Sequence, residues 1–533
     1  MRLLDSPRIA GRRDWLVAAI FAGLTLLLAS LALLAPLNHD ESQYFAAAEL
    51  STRLMPFRDF LYLQTPLQPL LLAPLAGLSA SYSFVTLRLV QALIGAGILL
   101  LVYLGQRTLG VGRKVALGAA LLLLFSHAFQ FSVTVVRNDA LPALLMAAGL
   151  YLGLRAMRHP AGRADLCWFG AGLAFAGAAA AKISFALPAA AVGLYLAGCV
   201  LFGRSRQDLR NALACGAGAA FAALPVLALW HAAPFSFDYG VFDYSLRAPF
   251  DWYGGNGLGH RLIAEGKASD FLGVLLRGTP FAALAAVLLS MLGPKARERR
   301  GNRPILFLDM LVLAGAVAAF LPTPVWQQYM MPLLPPLYVR LGILIADLGR
   351  EKGWRRPALL AALVVGMAIG ASQPVKWALR GEPDPIDATE EAHWIGDQLR
   401  KAGAQGEIAT LSPQVTLDSG YPLDPRFAAG PFFYRTGDVM REDRQRLIHA
   451  ISPATLEEFL SERPPAAIVT GYETRHRVFT RDLDRDLRAY AARHGYRHIS
   501  SPYGDAELYI APARARVSGA PPATPPLRTA ASS

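Results

Sequence analysis

The chain has 533 residues, 54% of them hydrophobic and 17% charged, with a mean hydropathy of +0.33. A water-soluble protein of this length needs a larger charged share to cover its surface, so long apolar runs inside a bilayer account for the bias better. The formal charge of +13 does not signal nucleic acid, because the cations sit in short segments between apolar runs, where they set topology.

Residues 15–37 run from Trp15 to Leu37 without a charge, behind Arg8, Arg12 and Arg13. The run is too long for an ordinary signal-peptide core and lacks a small-x-small cleavage site, which makes it a retained first span. Further apolar runs follow near 84–105, 115–132, 140–154, 166–181, 184–202, 211–230, 271–293, 304–321, 329–347 and 358–375. Together they predict about eleven transmembrane helices. Cys167, Cys199 and Cys215 lie in or beside these runs without disulfide or metal spacing and read as small apolar filler.

A cytoplasmic N-terminus places 106–114, 155–165, 203–210, 294–303 and 347–357 inside. Each of those segments holds several Arg or Lys, among them Arg107, Arg113, Lys114, Arg155, Arg204, Lys295, Arg303, Arg350 and Lys352. The opposite segments between the runs carry few cations: Arg53, Arg58, Arg137, Lys182, Arg247, Arg261 and Lys267. That asymmetry is the positive-inside pattern. It predicts an inner-membrane protein whose C-terminal part faces the periplasm or exterior.

Three regions then face outward: 38–83, 232–270 and the tail from about 376. In the tail, 387–402 reads as an amphipathic helix, 407–413 and 466–472 as buried strands, 455–462 and 481–495 as helices, and 496–512 as a closing strand pair. The expected organisation is a membrane unit over 1–375, a small α/β domain over 376–514 and a disordered Pro/Ala/Ser/Thr-rich tail over 515–533.

The chemistry-bearing residues sit at the outer ends of the runs. Asp40 and Glu41 follow the first span; they read as a solvated helix cap, as a general base at the membrane surface, or, with His39, as metal ligands. Arg137, Asn138 and Asp139 stand at the mouth of the fourth span, where Asp139 is either an N-cap or part of an acidic site. Lys182 interrupts apolar sequence near the outer surface, where a cation serves a function or snorkels. Arg88 reads as a snorkelling anchor, and Arg340 as lying near the inner surface. The aromatic, Gly-rich segment 232–270 lacks a preceding strand, so its glycines are no dinucleotide fingerprint. It reads as a mobile loop over a laterally open site, with His260 an ordinary loop histidine or, beside Arg261, a substrate contact. The prolines of 322–342 should break the helix there and leave Trp326, Gln328 and Tyr329 at the outer mouth.

This order of motifs, an Asp-Glu pair after the first helix, then MPFRDFLYLQTPL, RNDALPALLM, AKISFALP and QQYMMPLLPPL, resembles the GT-C membrane glycosyltransferases over roughly residues 10–375. It is similar in particular to bacterial relatives of protein O-mannosyltransferases and lipid A aminoarabinose transferases. The resemblance implies inverting transfer of a sugar from a polyprenyl-phosphate carrier to a lipid, glycan or protein acceptor outside the cytoplasm. It implies Asp40 as base with Glu41 beside it, Asp139 as a second acid, Lys182 as the cation near the carrier phosphate, and Arg58 in a matching stretch. Arg261, His260 and Tyr329 complete the substrate-binding candidates. At 64–66 this chain has Gln-Thr-Pro where relatives often have His-Pro-Pro. No cofactor is required, and a divalent cation stays open. A lipid-linked sugar transporter and a non-catalytic envelope assembly factor are the competing readings.

Overall fold

The structure is a computed structural model that describes residues 12–293, 301–350, 353–474 and 481–512. The basic segment 294–300, Lys352 and the expected disordered tail at 515–533 lie outside the described residues.

Helix α1 (Arg12–Leu34) leads into an outer segment that is itself helical, with α2 (Glu41–Leu50) and α3 (Leu67–Ser79). There follow α4 (Ser83–Thr108), α5 (Arg113–Leu123), α6 (His127–Thr134), α7 (Ala140–Ala156), α8 (Ala161–Ala181), α9 (Ala186–Gly203) and α10 (Arg206–Ala232). After a largely helical outer stretch come α11 (Ala264–Leu275), α12 (Pro280–Leu292), α13 (Arg303–Phe320), α14 (Leu334–Leu348) and α15 (Arg355–Gly370). Among the described residues, seven helices are long and apolar enough to cross a membrane. Their outward faces expose large apolar side chains such as Leu26, Leu194 and Phe202, as a surface facing lipid does.

Two apolar runs are broken rather than continuous. The 115–132 run splits at Leu124–Ser126, and the 271–293 run splits at Leu276–Thr279. The breaks face each other: Thr279 N donates to Phe125 O (3.2 Å), His127 N donates to Arg277 O (3.1 Å), and Thr279 Oγ1 donates to Leu122 O (2.8 Å). Backbone freed from one helix is thereby satisfied by the other, which is the condition for irregular chain at membrane depth. The segment 232–270, expected as a loop, is mostly helical, with Tyr244–Gly255 as its longest helix. Phe237, Val241, Trp252 and Tyr253 are buried along it, and this apolar anchoring holds it in place.

The C-terminal part contains a four-stranded sheet in the order β1-β2-β4-β3, with β1 (Ile408–Thr410), β2 (Ala467–Thr470), β3 (Arg497–Ser500) and β4 (Glu507–Ile510). β1 and β2 run parallel, with Ile408 opposite Ala467; β4 is antiparallel to both β2 and β3. Helix α16 (Pro385–Lys401) opens this part with a capping box on Asp384. One continuous apolar core joins Phe45, Phe57, Phe60 and Tyr62 of the first outer segment to Ile408, Val469 and Leu508 of the sheet. That shared core fixes the sheet against the end of the helical part that carries Asp40, Arg137, Asp139 and Lys182.

Candidate active site

Asp40, Arg137, Asp139 and Lys182 form an alternating chain of acid and base. Arg137 Nη1 pairs with Asp40 Oδ2, Arg137 Nε donates to Asp139 Oδ2 (2.9 Å), and Lys182 Nζ pairs with Asp139 Oδ1. Three local breaks in helical structure deliver these side chains to one place. Asp40 ends the turn between α1 and α2, Arg137–Asp139 connect α6 to α7, and Lys182 leaves α8 with extended backbone (φ −155, ψ 124). The Asp40 side chain is 28% exposed and that of Asp139 is fully buried, so the chain runs from a wet end to a dry end. Ile183, next to Lys182, is 40% exposed among the lipid-facing apolar side chains.

Aromatic rings surround the cations. The Arg137 guanidinium lies over Tyr44 (5.5 Å) and Phe131 (5.4 Å), and the Lys182 ammonium lies over Tyr329 (5.0 Å). Such faces stabilise a buried cation through the ring quadrupole. Gln91 Nε2 donates to Arg137 O, and Asn138 Nδ2 donates to Gln64 Oε1.

Glu41 has a different environment from its neighbour Asp40. It is fully buried and takes a two-pronged bond from Arg88: Nε to Oε1 at 2.7 Å and Nη2 to Oε2 at 2.5 Å. Val136 N and Asn38 N also donate to it, while Arg88 Nη1 and Nη2 reach the carbonyls of Ala32, Ala35 and Pro36. Arg88 is therefore no snorkelling anchor. Its helix turns it inward, and the buried carboxylate, not lipid, is its partner.

The reading of His39, Asp40 and Glu41 as metal ligands does not survive the geometry. Glu41 faces Arg88, Asp40 faces Arg137, and His39 Nδ1 lies 3.1 Å from Glu473 Oε1. Among the described residues no group of three or more His, Cys, Asp or Glu side chains converges on one point. Arg340 is buried rather than at the inner surface, donating to Asp309 Oδ1 (2.7 Å) and Ser290 Oγ (3.1 Å).

Of the remaining candidates, Tyr329 is at the cluster, as its contact with Lys182 shows. Arg261 stacks on Trp326, three residues before Tyr329, at 4.1 Å and is bonded to Asp270. His260 sits on the same short turn and is exposed. Arg58 is not brought in: its guanidinium is half exposed and forks onto Asp59. The sequence reading passed over Arg137 as the hub. Its signal was there, a lone outer cation two residues before an acid. Glu473 was also missed, and nothing in its local pattern announces it.

A family model described as dolichyl-phosphate-mannose-protein mannosyltransferase matches residues 76–229. Among solved structures, the chain is similar to ArnT from Cupriavidus metallidurans bound to undecaprenyl phosphate, with 14% identity and a TM-score of 0.59 over 95% of this chain and 99% of that one. The fold is that of ArnT. Apo ArnT from the same organism matches with 14% identity and a TM-score of 0.54, over 94% of this chain and 99% of that one. The S. cerevisiae Pmt1-Pmt2 complex bound to the sugar donor gives 17% identity and a TM-score of 0.30, over 47% and 36% of the two chains, a likeness too weak to argue from. Comparison of the sequence with curated proteins gives no match. The ArnT-like fold and the apolar helices together make this an integral membrane protein, and the expected GT-C resemblance holds at the level of fold.

Proposed function

We propose that this protein is an inverting glycosyltransferase that moves a sugar from a polyprenyl-phosphate carrier to an acceptor on the non-cytoplasmic side of the membrane. The observation that carries the reading is the Asp40–Arg137–Asp139–Lys182 chain, graded from water to lipid. Asp40, at the wet end, takes the proton from an acceptor hydroxyl or amine as that atom attacks the anomeric carbon. The bond from that carbon to the phosphate oxygen breaks, and the phosphate leaves with the electron pair. Lys182 and Arg137 neutralise the charge that develops on it, so no general acid is needed. Asp139 holds both cations in register, and an incoming phosphate competes with it for the Lys182 ammonium. Glu41 acts through Arg88 and Val136 as a positioning residue. Tyr329 and Arg261 line the approach, with His260 at its rim. Undecaprenyl phosphate, present in the ArnT structure, is the carrier chemistry that this arrangement suits. The orientation rests on the positive-inside distribution of Arg and Lys.

Mass spectrometry of lipids, polysaccharides and proteins from a deletion strain tests the proposal. One glycosyl mass should disappear, return with the wild-type chain and stay absent with Asp40→Asn. Full return with Asp40→Asn would remove the base, and an unchanged glycosyl inventory in the deletion strain would remove the enzyme.

A further inference from the structure

Beside the ionic chain lies a set of uncharged polar groups that the reaction as described does not use. Tyr62, Thr65, Gln68 and Asn138 are each at most 4% exposed. Tyr62 Oη, Thr65 Oγ1, Gln68 Oε1, Gln68 Nε2 and Asn138 Oδ1 have no hydrogen-bond partner among the described residues. Buried polar atoms are normally satisfied, and each exception in a folded protein asks for a reason.

Four of these five atoms come from one short stretch of chain, and the fifth from Asn138, which that stretch contacts through Gln64. The segment 62–68 is continuous, its Gln64 accepts from Asn138 Nδ2 at 3.2 Å, and Asn138 stands between Arg137 and Asp139. Tyr62 is close enough to Asp139 to feel its charge, and its ring lies 6.5 Å from Tyr44, over which Arg137 stacks. Resting on the glycosyltransferase reading, we infer that this segment is the recognition subsite for the donor's sugar, and that the sugar is neutral and hydroxylated.

The chemistry selects the class. The orphaned atoms include the amide N–H donors of Gln68, the two carboxamide oxygens of Gln68 and Asn138 as acceptors, and two hydroxyls that do both. Sugar hydroxyls likewise donate and accept, so they pair with all of them. Segment 60–68 carries no charge. An ammonium on the sugar would find no carboxylate within this segment, and the two beside it, Asp40 and Asp139, hold Arg137 and Lys182 before the donor binds. A uronate would compete with the carrier phosphate for those same two cations. A ring bearing only hydroxyls meets neither conflict.

The test uses the full-length protein in lipid nanodiscs. Four probes are compared: undecaprenyl phosphate alone, and the same carrier joined to a neutral hexose, a 4-aminopentose or a hexuronic acid. The neutral hexose should bind about 10-fold tighter than the bare carrier, the gain of one or two net hydrogen bonds. In Gln68→Leu and Thr65→Val that ratio should fall to about one. Each variant serves as its own reference, and its thermal unfolding reports whether it has folded. Binding of the bare carrier with no added gain from the hexose would overturn the subsite alone. So would tighter binding of the amino or acidic sugar, or a ratio untouched in both variants. Failure of the wild-type protein to bind even the bare carrier would overturn the glycosyltransferase reading, and this subsite with it.

Discussion

Asp40 and Glu41 are adjacent in sequence and differently placed: the Asp40 carboxylate is partly exposed beside Arg137, and the Glu41 carboxylate is fully buried on Arg88. Glu41→Gln leaves Arg88 buried, and breaking a buried pair from one side costs about 3–5 kcal/mol. A clear fall in the thermal unfolding temperature of the detergent-solubilised protein is expected for Glu41→Gln, whereas Asp40→Asn, at a partly exposed site, should unfold within about 1 kcal/mol of wild type. If instead Glu41→Gln unfolds normally and loses all transfer, it is a catalytic group rather than a positioning one. Lys182→Met offers a second contrast. It removes the cation but keeps the length of the side chain, so transfer should drop by about 100-fold or more in a glycosyl-transfer assay while the protein still assembles in the membrane. The sequence made Asp40, Asp139 and Lys182 visible because charges are conspicuous where apolar runs meet water. It did not show that Arg88 turns inward, since an arginine near a helix end looks the same whether its partner is lipid headgroup, water or a carboxylate brought from 47 residues away.

At the scale of elements, hydropathy identified where helices run but not where they break. The 115–132 run is long enough to read as one apolar span despite Ser126, His127 and Gln130, yet it divides at Ser126, where Gly278 and Thr279 of another run approach; a Cβ on Gly278 would lie 2.0 Å from Phe125 O. Such a break is written in two distant segments at once, so neither segment shows it alone. The strands and helices of the C-terminal part were legible, from short β-branched runs and amphipathic spacing. Their docking was not. Asp418 illustrates this: it accepts from Ser83 N (2.9 Å) and Phe84 N (3.2 Å), capping α4 from a residue 334 positions away, and Thr389 Oγ1 also donates to it. Burial pushes its carboxyl above the ordinary range, although these bonds pull the other way. Asp418→Ala removes the cap and leaves two buried N–H groups without an acceptor, at a cost of about 1–2 kcal/mol or more. Hydrogen exchange should show lost protection at the first turn of α4 and at Thr389, with the opposite end of α4, near Thr108, unchanged. Unchanged exchange at Ser83 and Phe84 would mean that the cap does not hold the two parts together.

Over the whole molecule, the C-terminal part reaches His39, the neighbour of Asp40, through Phe432, whose ring lies 5.0 Å from the imidazole, and through a short turn after β2. Gly471, at φ +120, sits where a Cβ would lie 1.8 Å from Asp505 O, so the turn requires glycine. The N–H groups of Gly471 and Glu473 both donate to Asp484 Oδ2, at 2.7 and 3.0 Å, and Glu473 then meets His39, the neighbour of Asp40. Asp484 is almost fully buried, and burial raises its carboxyl from 3.8 to about 7, with the nearby Glu473 charge adding to the shift and the two N–H bonds opposing it. The folded state thus holds a proton that the unfolded chain releases near pH 4. Between about pH 4 and pH 7 the folded form binds more protons, so stability falls as pH rises through that window, and the contribution is lost above it. The size is on the order of a few kcal/mol for a shift this large. Asp484→Asn keeps one oxygen for both N–H groups and cannot ionise. Wild type should therefore unfold at lower temperature at pH 8 than at pH 5, beyond the change in Asp484→Asn, and the variant should gain most at pH 8. Because Glu473 hangs on the same turn, the wild-type His39–Glu473 contact should loosen with alkalinity while the variant holds it, which the exchange rates at residues 471–474 will report. Parallel pH profiles for the two proteins would show that Asp484 ionises as an ordinary carboxylate and that the turn is held by packing alone.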